Sequence, residues 1–125
     1  MITKINSDNA PAAIGPYSQA MKWNEILFTS GQIPVDPKTN EIAGDTIEEQ
    51  AEQVMKNVEE VLKEGGSDFS KVLKTTCFLS DMAYFNEFNK IYEKYFLSKP
   101  ARSCVAVKEL PKNVLCEVEV IAISE

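Results

Sequence analysis

Apolar residues recur at helical spacing in two stretches of the chain and crowd into short strand-like runs elsewhere. Between Thr46 and Glu64, the residues Ile47, Ala51, Val54, Val58, Val61 and Leu62 fall on one face at a 3.6-residue period, which predicts an amphipathic helix. Thr46 with Glu49 three residues on forms a capping box, Glu48 suits the positive end of the helix dipole, and Gly65-Gly66 ends the helix. A second helix is expected over about Ala83 to Phe96, opened by Asp81 and broken by Leu97-Ser98-Lys99-Pro100. Its stripe is Phe85, Phe88, Tyr92 and Phe96, and Asn89 lies on the same face.

The remaining runs predict strands. Residues 2–6 alternate as a short edge strand, and Gly15-Pro16 is turn chemistry before a strand from Tyr17 to about Trp23. Asn24-Glu25 turns the chain and Ile26 to Ser30 returns as the second arm of a hairpin. Pro34 to Asn40 is dense in turn formers and is expected to be a loop. Lys71 to Leu79, rich in Val, Thr and Phe, predicts a central strand. Two last strands, Arg102–Lys108 and Val114–Ser124, are joined by a loop containing Pro111.

The resulting order, β-β-β-α-β-α-β-β, describes a single domain over residues 1–125, an α+β two-layer fold with two helices on one face of a mixed sheet. Both parities of the late strands are apolar: Val105 and Val107 against Cys104 and Ala106, Val118 and Val120 against Ile121 and Ile123. One helical layer covers only one sheet face, so the other is expected to be buried by further copies of the chain.

Composition narrows the chemistry. The net charge of −6, with no Lys/Arg run, argues against nucleic acid as a main partner. The absence of histidine removes the commonest general base, the commonest metal ligand and any Ser-His or Cys-His pair. Cys77, Cys104 and Cys116 lack Cys-x-x-Cys spacing and are expected to be reduced thiols. With no apolar leader and no membrane-length apolar run, the expected compartment is the cytoplasm.

Arg102 is the only arginine beside twelve lysines. A guanidinium grips a carboxylate with two parallel hydrogen bonds, which an ammonium cannot do. If the last two strands form a hairpin about Leu110-Pro111, Arg102 lies opposite Glu119 and diagonal to Glu117, about 7–8 Å away, on one shared face. Arg102 could then hold a substrate carboxylate while Glu117 positions or deprotonates a water; the bland alternative is an Arg102–Glu119 cross-strand salt bridge. Spacing does not choose between Glu117 and Glu119. Tyr17 could cover a site or be an ordinary strand aromatic, and Ser30-Gly31 offers a hydroxyl and an unshielded N–H or a plain turn. Asn89 needs a partner, backbone or ligand, if buried. Cys104 is a nucleophile candidate or a small buried thiol, its pKa open to lowering by Arg102.

These residues carry a resemblance. Gly15-Pro16-Tyr17-Ser18-Gln19-Ala20, Ser30-Gly31-Gln32-Ile33-Pro34, Asn89 with Tyr92, Pro100-Ala101-Arg102-Ser103 with Cys104, and Leu110-Pro111 followed by Glu117 resemble, in order and nearly end to end, the reactive-intermediate deaminase (Rid, YjgF-like) family. The resemblance implies a chorismate-mutase-like fold and a homotrimer with sites in the clefts between subunits. It implies hydrolysis of 2-imino acids, such as 2-iminobutanoate and 2-iminopropanoate, to 2-oxo acids and ammonia, without metal or cofactor. By position, Arg102 would clamp the carboxylate and Glu117 would hold the attacking water. Backbone groups near Cys104 would meet the imine nitrogen, and Tyr17, Ser30, Gly31 and Asn89 would line the cleft. A rival reading is a non-catalytic regulatory or chaperone module that binds a small carboxylate. The ribonuclease activity attached to some relatives ranks below both, given the acidic, histidine-free chain.

Overall fold

The expected long helix forms because its first turn is closed at both ends of the capping box. The Glu49 N–H donates to Thr46 Oγ1 at 3.2 Å, while the Glu49 carboxylate accepts from the Thr46 backbone. In the computed structural model, which describes residues 1–125, this helix is α1 (Ile47–Glu64). Its six-residue stripe is buried together with Met55. The second helix, α2 (Phe85–Tyr95), follows a short 3₁₀ turn (Met82–Tyr84) that Asp81 caps.

The strands are β1 (Ile2–Ile5), β2 (Ala20–Trp23), β3 (Ile26–Thr29), β6 (Val72–Leu79), β7 (Ala101–Ala106) and β8 (Cys116–Ile123). They make one six-stranded sheet in the order β1-β2-β3-β8-β6-β7, antiparallel throughout except for the parallel pair β6–β7. Thus β1 is an edge and both helices cover one face, as the pattern predicts, while β6 is interior but only one place in from the edge strand β7. A further two-stranded ribbon, β4 (Val35–Asp36) with β5 (Glu41–Ile42), occupies part of the stretch expected to be all loop. It turns through Asn40 at positive φ.

Two expectations fail. The strand after Gly15-Pro16 begins only at Ala20, because Gln19 is turned inward. Its side-chain amide serves the backbone of Ser7 and donates to the carbonyl of Pro11, tying Gln19 to the preceding loop.

The larger failure is the terminal hairpin. β7 does not pair with β8; β6 lies between them. A strand reached from β6 through a crossover helix returns parallel to it, and α2 is that crossover. The connection from β7 to β8 then has to pass over the end of β6, and it contains a 3₁₀ turn (Pro111–Asn113) in place of a tight hairpin turn.

The register assigns the faces. Thr75, Cys77, Arg102, Cys104, Val118 and Val120 point toward the helices, and four of these six are buried in the core. Thr76, Phe78, Ser103, Val105, Glu117 and Glu119 point to the other side. That outer face carries Ile2, Trp23, Phe28, Val105 and Ile123, all exposed, so it is the bare apolar face expected from the strand composition.

Candidate active site

Arg102 stands near the start of edge strand β7, and α2 crosses beneath its side chain. One Nη1–H donates to Asn89 Oδ1 at 2.8 Å. The guanidinium carbon lies 4.6 Å from the centre of the Tyr92 ring and 5.5 Å from that of Phe85. Tyr92 is itself fixed, stacked on Phe96 and hydrogen-bonded through its hydroxyl to Thr75 Oγ1 at 2.8 Å. Phe85, Asn89 and Tyr92 are four and three residues apart, so one helical face supplies both rings and the amide. The partner of Asn89, left open by the sequence, is Arg102.

No carboxylate pairs with Arg102, and the Nε–Nη2 edge of its guanidinium has no protein partner. The expected alternative, a salt bridge to Glu119, is excluded: Arg102 is opposite Thr75, and Glu119 is on the other sheet face. Arg102 opens onto a hollow of about 210 Å³ floored by Tyr92 and rimmed by Leu97 and Pro100.

Glu117 belongs to a different region. It lies opposite Phe78 on β8, outward-facing and half-buried. Just beyond β3, paired hydrogen bonds between Gln32 and Val118 (2.8 and 3.1 Å) lay Gly31 against it. A Cβ on Gly31 would sit 1.9 Å from Glu117 Oε2, so only glycine leaves room for this carboxylate. Burial, with the like charge of Glu119 adding to it, pushes the Glu117 carboxyl above the ordinary glutamate value. Ser30 pins the loop in front: its hydroxyl donates to the Ser18 carbonyl at 2.7 Å and its N–H to the Gln19 carbonyl at 2.8 Å. Tyr17, Ser30, Gly31 and Glu117 line one cleft of about 380 Å³, with Ile14, Ile33 and Pro111 as an apolar wall.

The expected site residues therefore fall into two groups. Arg102, Asn89 and Cys104 gather on the helix side of β7; Tyr17, Ser30, Gly31 and Glu117 gather on the outer side. Within one chain Arg102 and Glu117 are two strands and three residues apart, about 14 Å at the backbone, and they face opposite ways. The diagonal pairing on a shared face is overturned, for the same reason the hairpin is. Phe85 was legible only as core stripe and Tyr92 as stripe and as part of the family pattern; their spacing from Asn89 was the available sign of a platform. Ile33 and Pro111 stood within the family-like motifs without a role assigned to them, and Ile14 gave no sign.

Comparison with known proteins finds relatives of the whole chain. The family model described as Endoribonuclease L-PSP matches residues 7–124. A Lactococcus lactis protein named as a candidate regulator, AldR, is 58% identical over 115 residues, 91% of each chain. Reactive Intermediate Deaminase A, chloroplastic, of Arabidopsis thaliana is 47% identical over 119 residues, 94% of this chain and 64% of that one. The crystal structure of E. coli TdcF with bound serine superposes with a TM-score of 0.93 at 38% identity, covering 98% of this chain and 99% of that one. The expected fold is thereby shown, and on sequence and structure together the chain belongs to the Rid/YjgF/L-PSP (RutC) family.

Proposed function

We propose that the protein hydrolyses small 2-imino acids, 2-iminobutanoate and 2-iminopropanoate among them, to 2-oxo acids and ammonia, at sites completed between copies of a homotrimer. The observation that carries this reading is the Arg102 guanidinium: solitary, held flat by Asn89, Tyr92 and Phe85, and free of any acidic partner. Such a group is an anion receptor, and its free Nε–Nη2 edge matches a carboxylate in two parallel hydrogen bonds. Two relatives support the reading: one is named for deamination of reactive intermediates, and another is crystallised with serine, an α-amino acid carboxylate.

In this reading Arg102 of one copy takes the substrate carboxylate and so fixes the adjacent C=N carbon. Glu117 of a neighbouring copy accepts a proton from water as the water oxygen bonds to that carbon. The protonated imine nitrogen takes up the C=N π electrons, giving a tetrahedral carbinolamine. Glu117 returns its proton to the amine and then takes the hydroxyl proton as the C–N bond breaks and the oxygen closes to the 2-oxo acid; the released ammonia carries that proton away as ammonium. A carboxyl raised above the usual range is better matched to both transfers at neutral pH than an ordinary glutamate. Backbone groups of β7 near Cys104 receive the nitrogen, Tyr17 covers the cleft, and Ile14, Ile33 and Pro111 accept an aliphatic side chain. The steps use water, a carboxylate and a guanidinium, and require no cofactor.

Two features favour assembly. Arg102 and Glu117 face opposite sides of one sheet, so a complete site draws on two copies. The exposed apolar outer face and the unpaired edge of β7 give a neighbour something to cover.

The test couples a threonine dehydratase or amino-acid oxidase to the protein and follows imine decay. Marked acceleration that disappears in Arg102→Ala is expected; full rate in a folded Arg102→Ala would overturn the assignment. The similarity to AldR favours a second reading, a carboxylate-sensing module. It would be upheld by 2-oxo acid binding that needs Arg102 with no turnover in the native protein.

A further inference from the structure

Cys77 and Cys104 are directly opposed on the parallel strands β6 and β7, and both side chains point to the helix side. Neighbouring strands lie about 4.8 Å apart. That spacing falls within the roughly 4.4–6.8 Å that a disulfide spans between Cα atoms, and the two Cβ directions agree. The third cysteine is not placed this way. Cys116 opposes Leu79 on β8, and burial pushes its thiol up to about 12.

The two opposed thiols differ in reactivity. Cys77 is fully buried, and its sulfur lies 3.9 Å from Thr75 Oγ1. Cys104 is on the edge strand and partly open, two residues after Arg102 on the same face. The Cys77 thiol beside it and the positive charge of Arg102 draw Cys104 down to about 7 against partial burial, while the neighbouring Cys104 sulfur and burial drive Cys77 the opposite way. The groups acting on the Cys104 sulfur are Cys77 opposite it on β6 and Arg102 on its own strand, with the Tyr92 hydroxyl of α2 within electrostatic reach and no carboxylate among them. A thiolate at neutral pH with a protonated thiol in register is the arrangement of an attacking and a resolving cysteine.

We propose that Cys104 is a site of oxidation by hydroperoxides and that Cys77 resolves it, closing a reversible disulfide between β6 and β7. The Cys104 thiolate attacks the O–O bond; an S–O bond forms, the O–O bond breaks, and the departing hydroxide or alkoxide takes a proton. The Cys77 thiol then attacks the sulfenic sulfur, forming S–S as S–O breaks, and its proton leaves with the hydroxyl as water. Two thiols have lost two electrons and two protons, and the peroxide has been reduced to water or to water and an alcohol. This chemistry stands apart from the deaminase reading, which concerns only what oxidation does to turnover.

The experiment treats the full-length protein with hydrogen peroxide at neutral pH, quenches with an alkylating agent under denaturing conditions, and maps thiols by mass spectrometry. The wild-type protein is expected to lose two alkylatable thiols and the mass of two hydrogens. A Cys77–Cys104 peptide pair should appear, and dithiothreitol should reverse the change. Cys77→Ala should stop at a sulfenic acid on Cys104 that dimedone traps. Cys104→Ser should consume peroxide at least about tenfold more slowly and keep Cys77 and Cys116 free. Three free thiols in the wild type under peroxide that oxidises a free cysteine peptide would overturn the proposal. So would equal oxidation of Cys104→Ser, or a pair that includes Cys116.

Discussion

The Arg102 region and the Glu117 region are built on opposite physical plans. Arg102 is held by attraction: a hydrogen bond to Asn89 and two aromatic faces support a group that stays charged at any working pH. Glu117 is held against its preference for water, desolvated over Gly31 with Glu119 nearby. The first arrangement gives a fixed charge with a free edge, suited to binding. The second gives a carboxylate whose protonation is poised to change, suited to proton transfer. In one protein, permanent charge and titratable charge are kept on different sheet faces.

Removing either group should have the largest effect. Arg102→Ala gives up two charge-assisted hydrogen bonds to substrate, about 3 kcal/mol or more, and kcat/KM should fall by about 10²-fold or more in imine-decay assays. Arg102→Lys should recover little, since an ammonium lacks the paired donors. Glu117→Gln should cut kcat by about 10²–10⁴-fold with KM less affected. Its loss should also show in the pH profile of the native protein: kcat/KM falls on the acid side through an apparent pKa above the ordinary glutamate value of 4.5.

Gly31→Ala should come next. The added methyl overlaps the Glu117 carboxylate and not backbone, so the chain should fold with near-native circular dichroism while kcat drops about tenfold or more. Tyr92→Leu sharpens the contrast from the other side. It removes the platform under Arg102, so KM should rise about tenfold with kcat changed less, while Tyr92→Phe, which keeps the ring, should stay near wild type.

The smallest expected effect is on stability. A carboxyl whose folded pKa is raised favours the fold when protonated; that contribution is present below the unfolded value and is lost as pH rises through the folded one. Glu117→Gln should therefore melt slightly higher than wild type at pH 7, by ~1 kcal/mol or less for a half-exposed group, and the gain should vanish at low pH.

What could be read from the sequence was local. The Thr46–Glu49 capping box, the α1 stripe and the β-branched run of β6 each declare themselves within a few residues, and each formed. Residues such as Arg102 and Glu117 could be singled out by type and by family pattern. Their relation could not, because it depends on which strand is inserted beside which. Two adjacent runs, Arg102–Lys108 and Val114–Ser124, suggest a hairpin. The parallel return imposed by α2 places β6 between them and moves Glu117 to the far face. Gly31 likewise carried a turn signal, whereas its actual requirement is the close approach of a side chain 86 positions later (117 − 31).

The most direct test of a site shared between copies is complementation. Arg102→Ala and Glu117→Gln chains, each inactive alone, are co-expressed in equal amounts under separate affinity tags, and the doubly tagged and total assemblies are assayed. Random mixing in a closed ring should restore about a quarter of wild-type sites, those pairing an intact Arg102 from one variant with an intact Glu117 from the other. Mixed assemblies that form yet remain as inactive as either parent would contradict the account.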